Sequence, residues 1–126
     1  MGIEENKKSL YRLFEEVWNQ GNLTIIPELI SPEYVGHNPQ KDILGLDDFE
    51  KAVKDFRTAV PDGHWSVDEL LGEDDKLMVG FTITGTQTMT YKGKEPTEET
   101  ITNRMLIVNR YVDGKCVEST PYSSLI

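Results

Sequence analysis

The sequence predicts an α+β fold, in which a curved antiparallel sheet is covered on one face by helices and encloses a pocket. Two observations carry this prediction. Before residue 63 apolar residues recur at helical spacing, and after it the pattern changes to four long strand-like segments separated by short turns. We expect residues 1–126 to form one domain, because the length is near the commonest domain size and no linker interrupts the chain.

The first third of the chain is predicted to be mainly helical. Gly21 suits the left-handed cap that ends the first helix, and a short helix, limited by Pro27, is expected over residues 23–29. A short strand over residues 33–38 should close at Pro39. The apolar stripe of the first helix consists of Leu10, Tyr11, Leu13, Phe14, Val17 and Trp18.

A second long helix is predicted to begin near Asp47, where Glu50 three residues later completes a capping-box pattern. Its end is marked by the Pro61-Asp62-Gly63 turn. The apolar residues repeat at intervals of three and four, which is typical of a helix with one buried face. These residues are Leu46, Phe49, Val53, Phe56 and Val60.

Four strands are predicted over residues 64–71, 76–91, 99–112 and 115–126. Strands of this length must bend, and Gly80 and Gly85 are the expected bulge or corner positions. A sheet built from these long strands, with helices on one face, leaves an outer face that needs cover. We therefore expect a homodimer formed through the sheet.

The composition excludes several classes of partner. With 13 Lys and Arg against 22 Asp and Glu, the net charge is −9, so the chain should repel nucleic acid. We expect no membrane partner, because no apolar run approaches the ~18 residues of a membrane span. No secretory signal is recognised at the N-terminus, and the single cysteine, Cys116, fits a cytoplasmic protein with a buried, inert thiol. The two histidines and one cysteine match no metal-ligand spacing.

Five segments resemble the SnoaL-like polyketide cyclases, a family within the nuclear-transport-factor-2-like (NTF2-like) superfamily. They occur in the expected order along nearly the whole chain. The segments are LFEEVWNQGNL (13–23), PELISPEYVGHNP (27–39), FRTAVPD (56–62), GEDDKLMVGFTITGTQT (72–88) and VDGKCVES (112–119). The resemblance implies an NTF2-like cone that holds a small hydrophobic molecule, such as a polyketide, a steroid or another carbonyl compound. It also implies cofactor-free aldol or isomerase chemistry that depends on a carboxylate acting as acid and base.

The chain departs from the family where that carboxylate is expected. In the family the last strand commonly continues as E-x-W-D-x-x-D, and in this register the two Asp positions are Pro121 and Ser124. Neither residue can act as a general base in place of a carboxylate. His37, which precedes the Asn38-Pro39 pair, is then the candidate catalytic base, because histidine changes protonation near neutral pH. A histidine that is merely hydrogen-bonded at a strand end explains the position equally well.

A set of predicted pocket residues follows from strand alternation and from the resemblance. Alternation places Asn103, Met105 and Asn109 on one face, and it places Thr120, Tyr122 and Ser124 on one face of the last strand. The full predicted set is Phe14, Trp18, Tyr34, Asn38, Trp65, Met89, Asn103, Met105, Asn109, Thr120, Tyr122 and Ser124.

The sequence leaves two hypotheses open. The first is an acid–base enzyme of weakened activity, acting on a hydrophobic carbonyl substrate with His37 as the base. The second is a noncatalytic binding domain on the same fold, whose pocket differs from that of its relatives by divergence or by engineering. A buried carboxylate with a raised pKa in the pocket would favour the enzyme, and a pocket lined by neutral groups would favour the binding domain.

Overall fold

A six-stranded curved sheet forms the main layer of the protein, and helices cover one of its faces. The structure is a computed structural model, and it describes residues 2–122. The face that carries the helices is called the inner face here, and the opposite one the outer face. The predicted α+β class, with a curved sheet covered on one face by helices, is confirmed. Among residues 2–122, none of the helices combines the length and the apolar character that crossing a membrane requires.

Within residues 2–122, the helical layer contains three α-helices. Helix α1, Ile3–Arg12, continues as a wider π-helical segment over Leu13–Asn19, and a 3₁₀ turn at Leu23–Ile25 leads into the short helix α2, Ile26–Leu29. Gly21, with φ of +74°, reverses the chain between them as expected. Helix α3, Gly45–Ala59, buries the stripe Phe49, Val53, Phe56 and Ala59.

The strands are β1 (Ile30–Gly36), β2 (Ile43–Leu44), β3 (His64–Glu73), β4 (Lys76–Thr86), β5 (Thr100–Val112) and β6 (Lys115–Pro121). Their order across the sheet is β2-β1-β6-β5-β4-β3. All neighbouring pairs are antiparallel except β1 and β6, which are parallel, so the sheet is mixed rather than purely antiparallel as predicted. The long helical connection between β1 and the later strands allows this parallel pairing.

Side chains alternate between the two faces along each strand, and the inward-facing ones of β4 and β5 contribute to the core. Leu77, Val79 and Phe81 on β4 pair with Asn109, Ile107 and Met105 on β5, so all six side chains share the inner face. These β4 residues are at most 2% exposed and pack with the buried stripes of α1 and α3. Burial of these apolar side chains supplies the main drive for folding.

The two glycines predicted at bends of the sheet, Gly80 and Gly85, have different roles. The bulge of β3 falls at Asp68, next to Glu69, which pairs with Gly80. Gly85 lies against the turn that follows α3, where an added Cβ would come within 2.4 Å of a Val60 methyl carbon and 3.0 Å of Gly63 Cα. Only glycine allows β4 to approach this turn so closely.

Several predicted strand boundaries were wrong, and one short strand was missed. The first short strand begins at Ile30 rather than residue 33, and β4 ends at Thr86 instead of continuing to residue 91. After Thr86 the chain leaves the sheet, and its next pairing is the isolated bridge between Tyr91 and Lys94. The short strand β2 was not predicted, because two residues are too few to show a period.

Candidate functional site

A cleft of about 800 Å³ opens between α3, the loop after β1 and the chain segment after β4. It lies at the end of the sheet where β5 begins and β6 ends. Met105 of β5 and Pro121 of β6 lie on its sheet side, and Ala52 and Ala59 of α3 face them. The remaining lining residues are Asn38, Pro39, Gln40, Lys41, Ile43, Asp55, Thr58, Met89, Thr90, Tyr91, Lys92 and Lys94. Most of its walls are therefore apolar, and its charged groups come from flanking loops and α3.

Three of the predicted pocket residues, Asn38, Met89 and Met105, line this cleft. Asn38 follows the end of β1, and Met89 is half exposed on the segment after β4. Asn103 lies on the same face of β5 as Met105, but it is exposed and does not line the cleft.

The predicted aromatic residues Phe14, Trp18 and Trp65 are packed together in the interior. Trp65 stacks on Trp18 and on Phe81, with ring centroids 4.1 and 5.2 Å apart, and Phe14 meets it edge-on at 5.4 Å. Tyr34 is likewise buried, with its ring edge-on to Phe49 at 5.2 Å. These side chains fill the interior of the cone, and none of them lines the cleft.

Asn109 belongs to a buried polar cluster on the inner face. The Ser119 hydroxyl donates to Asn109 Oδ1 at 2.6 Å, and the Asn109 amide donates weakly to the Tyr111 hydroxyl at 3.5 Å. Burial raises the pKa of the Cys116 thiol to about 11 and also raises the pKa of Tyr34 and of Tyr111 above the usual range of tyrosine. These groups are therefore neutral near pH 7, and Asn109 is satisfied within the protein.

Thr120 lies on the outer face, not on the inner face as expected. The pairing between β5 and β6 shifts between Arg110 and Tyr111, so that Tyr111 pairs with Cys116 while Arg110 pairs with Glu118. This bulge adds one residue to β6 and reverses the faces beyond it, which places Ser119 and Pro121 inside and Thr120 outside. Tyr122 is 56% exposed. Ser124 lies outside the described residues.

Pro121 therefore occupies an inward position in the cleft, which is the position of the first family Asp in the register deduced from the sequence. A proline there presents no group that can transfer a proton.

His37 lies on the outer face and does not contact the cleft. Buried Tyr34 and Gly36 of β1 point inward, so alternation turns Val35 and His37 outward. His37 Nε2 is 2.9 Å from Glu118 Oε2, and His37 Nδ1 is 3.8 Å from Asp42 Oδ2. The residue lines a separate outer-face cavity of about 620 Å³. The expectation that His37 serves as the base of the cleft is therefore at odds with its position.

Glu118 connects His37 to Arg110, whose Nε donates to Glu118 Oε1 at 3.2 Å. The hydrogen bonds from His37 and from Arg110 lower the pKa of Glu118 below its ordinary value. This carboxylate is thus held in its charged form, which is the opposite of what a general acid at neutral pH requires.

The titratable groups of the cleft are of a different kind. Asp55 is its only lining carboxylate among the described residues, and it accepts a hydrogen bond from Lys51 Nζ at 2.7 Å. Burial raises the pKa of Tyr91 to about 12, and desolvation lowers the pKa of Lys92. Within residues 2–122 no group of three or more His, Cys, Asp or Glu side chains is arranged to hold a metal ion.

The sequence reasoning missed the lysines and Tyr91. The Lys92-Gly93-Lys94 segment follows directly after the second predicted strand, and the sequence pattern indicates only a turn there, although Tyr91 and both lysines line the cleft. An aromatic residue beside two lysines in a predominantly acidic chain was the signal that could have indicated a binding surface.

Comparisons with known proteins agree with this architecture. The profile of the SnoaL-like polyketide cyclase family matches residues 8–124. No curated protein shows significant sequence similarity to the chain. Among solved structures, TsrD from Streptomyces laurentii is 18% identical with a TM-score of 0.88, covering 99% of this chain and 92% of its own.

Two further solved structures are similar. A candidate SnoaL-like polyketide cyclase from Jannaschia sp. CCS1 is 19% identical with a TM-score of 0.85, covering 97% of this chain and 87% of its own. An NTF2-like protein of unknown function from Burkholderia pseudomallei K96243 is 14% identical with a TM-score of 0.78, covering 98% of this chain and 92% of its own. At these identities the likeness shows the fold alone, whereas the family profile spans almost the entire chain. The chain is a member of the SnoaL-like polyketide cyclase family.

Proposed function

We propose that the protein binds a small hydrophobic, carbonyl-containing molecule in the cleft, and that binding rather than catalysis is its function. The observation that carries this proposal is the cleft itself. Its volume of about 800 Å³ is in the range of small-molecule sites, and Ile43, Met89, Met105 and Pro121 give it apolar walls. Methionine side chains adapt to ligands of irregular shape.

Polar groups at the edge of the cleft can orient the ligand. The side-chain amides of Asn38 and Gln40 and the hydroxyls of Thr58 and Thr90 line it beside the apolar walls. An amide or hydroxyl hydrogen bond to a ligand carbonyl would give direction to a contact that is otherwise hydrophobic.

The chemistry of the lining residues supports binding over catalysis. Position 121 holds a proline, and Asp55 is engaged by Lys51. Tyr91, with a pKa of about 12, is a poor base near neutral pH. His37 is directed to the other face of the sheet.

Blocking the cleft tests the proposal. Ala52 is half buried in the cleft wall, so Ala52→Trp should fill part of the cleft with its indole ring. The assay is the fluorescence of N-phenyl-1-naphthylamine, a neutral probe that brightens in apolar sites. We expect the wild type to bind the probe and the variant to bind it at least about 10-fold more weakly, as a loss of ~1.4 kcal/mol or more.

The matched control is Tyr11→Trp, which adds the same side chain at an exposed site on α1. It should bind the probe as the wild type does. No binding by the wild type, or equal binding by the Ala52→Trp variant, would refute the proposed site.

Family membership favours a second candidate, a cofactor-free aldol cyclase of weakened activity. In that case a cleft group must transfer the proton, and Asp55 is the lining carboxylate available among the described residues. Turnover of a polyketide-type β-diketone that is lost in Asp55→Asn, at unchanged probe affinity, would support this candidate. Equal rates with and without protein would leave binding as the function.

We also propose a homodimer formed through the outer face of the sheet. This face exposes large apolar side chains that solvent contact disfavours, namely Leu71, Met78, Leu106 and Val112. Light scattering should give twice the 14.3 kDa chain mass, and Leu106→Glu should give the mass of one chain. A wild type that is monomeric at micromolar concentration would contradict the proposal.

A cytoplasmic location remains part of the proposal. It is supported by the single cysteine in the sequence, whose thiol at position 116 is buried and free.

A further inference from the structure

We propose that the ligand of the cleft is an anionic amphiphile: an apolar body that carries one carboxylate-type group, which Lys41, Lys92 and Lys94 attract. The inference rests on the proposed function, because it requires the cleft to be the binding site. It adds the charge class of the ligand, which the fold and the family do not specify.

The charge of the cleft is opposite to that of the chain. The sequence has a net charge of −9, yet three of the four charged side chains that line the cleft within residues 2–122 are lysines. The fourth, Asp55, forms an ion pair with Lys51, whose Nζ lies 2.7 Å away. An anion would be repelled by most of this protein's surface but attracted to this one opening.

The cleft lysines are free to meet a ligand. Within residues 2–122, no carboxylate oxygen lies within 4.0 Å of the Nζ atom of Lys41, Lys92 or Lys94, whereas Lys51 and Lys54 on α3 are both paired with acidic neighbours. An ammonium group without a counter-charge beside an apolar wall is a favourable position for a bound anion.

The backbone that carries these lysines is fixed by hydrogen bonds. Tyr91 and Lys94 exchange two backbone hydrogen bonds of 3.0 Å, and the Gln87 amide donates to the carbonyls of Met89 and Lys94 at 2.8 and 2.6 Å. The Gln40 amide donates to the Lys92 carbonyl at 3.4 Å, which connects the Lys41 loop to this turn. The lysines are therefore presented from both sides of the opening.

Lys92 is the lysine most closely associated with the apolar wall. Its Nζ lies 5.5 Å from the centroid of the Tyr91 ring. Desolvation at this position lowers the pKa of the amine, and a bound anion would offset that cost by stabilising the ammonium form. A neutral ligand would bring no such compensation.

Two probes with the same ring system test the charge preference. 8-Anilinonaphthalene-1-sulfonate carries one anionic group, and N-phenyl-1-naphthylamine lacks it. At low salt we expect the anionic probe to bind about 10-fold more tightly and to displace the neutral probe. Replacing all three lysines in Lys41→Gln, Lys92→Gln, Lys94→Gln should remove most of this preference, measured as the ratio of the affinities of the two probes for the same variant. Salt at ~1 M, where the Debye length is about 3 Å, should reduce the preference in the wild type as well.

The control is a triple variant with the same change in net charge, Lys7→Gln, Lys8→Gln, Lys76→Gln, none of which lines the cleft. It should keep the preference for the anionic probe. Equal loss in both triple variants would overturn the inference, because the effect would then come from net charge alone. Tight binding of the neutral probe without a preference for the anionic one would also overturn it and leave the proposed function intact. If neither probe binds, the proposed function and the inference fail together.

Discussion

Replacement of Trp65 by alanine should destabilise the fold by about 3 to 5 kcal/mol, the usual cost of truncating a large aromatic side chain in a core. The structure gives the reason. The Trp65 ring contacts four aromatic neighbours, with centroid distances between 4.1 and 5.6 Å, so its loss would leave a void between α1, α3 and the sheet. A loss of this size is a large fraction of the stability of a typical domain.

Urea unfolding followed by circular dichroism measures this effect. With a slope of roughly 2 kcal/mol per molar urea, a loss of ~4 kcal/mol lowers the unfolding midpoint by about 2 M. Trp65→Phe is the matched control, because it keeps a six-membered aromatic ring and removes the smaller ring with its indole N–H, which has no hydrogen-bond partner within the described residues. We expect the phenylalanine variant to lose less than half as much stability. A loss of unfolding free energy below about 1 kcal/mol for Trp65→Ala would refute the view that this residue is part of the core. It would indicate instead that Trp65 lines a solvent-filled pocket.

Two further predictions concern titratable groups outside the cleft. Because the pKa of Glu118 is lowered in the folded protein, its contribution to stability is present above the ordinary value of 4.5 and is lost as the pH falls through the lowered value. Urea unfolding of wild type and Glu118→Gln should therefore show a small difference at pH 6 that disappears on acidification, and a difference independent of pH would contradict the ion-pair network. Raising the Cys116 pKa from 9.0 to about 11 lowers its thiolate fraction about 100-fold at neutral pH. The thiol should accordingly react with Ellman's reagent at least about 100-fold more slowly in the native protein than in urea, and comparable rates would show that the thiol is accessible.

The sequence predicted those features that local periodicity determines. The apolar stripe of α3 and the inward face of β5, with Met105 and Asn109, follow directly from spacings of 3.6 and 2 residues. The register of the family segments gave the order of the elements. These features depend on neighbouring positions in the chain and need no knowledge of distant contacts.

The side on which a residue lies beyond an irregularity could not be predicted in this way. One added residue in β6 places Thr120 outside and Pro121 inside. Pro121 suggests an edge or a bulge in this strand, but it does not show on which side of the irregularity each residue lies. Both His37 and Asn38 were predicted to lie in the pocket. Alternation at the end of β1 places His37 on the outer face beside Glu118, whereas Asn38 lines the cleft.

The grouping of the cleft lysines depends on contact between the loop after β1, which carries Lys41, and the turn at Tyr91, which carries Lys92 and Lys94. These segments are about fifty residues apart, and a contact between distant segments leaves no periodic signal in the sequence.

The cleft between α3, the loop after β1 and the turn at Tyr91 can be tested as the ligand site by amide chemical-shift mapping with N-phenyl-1-naphthylamine. If the probe binds there, the largest changes should fall on Met89, Tyr91 and Met105, with little change at the outer-face residues His37, Val112 and Glu118. Changes centred on those outer-face residues would show that the ligand site lies elsewhere.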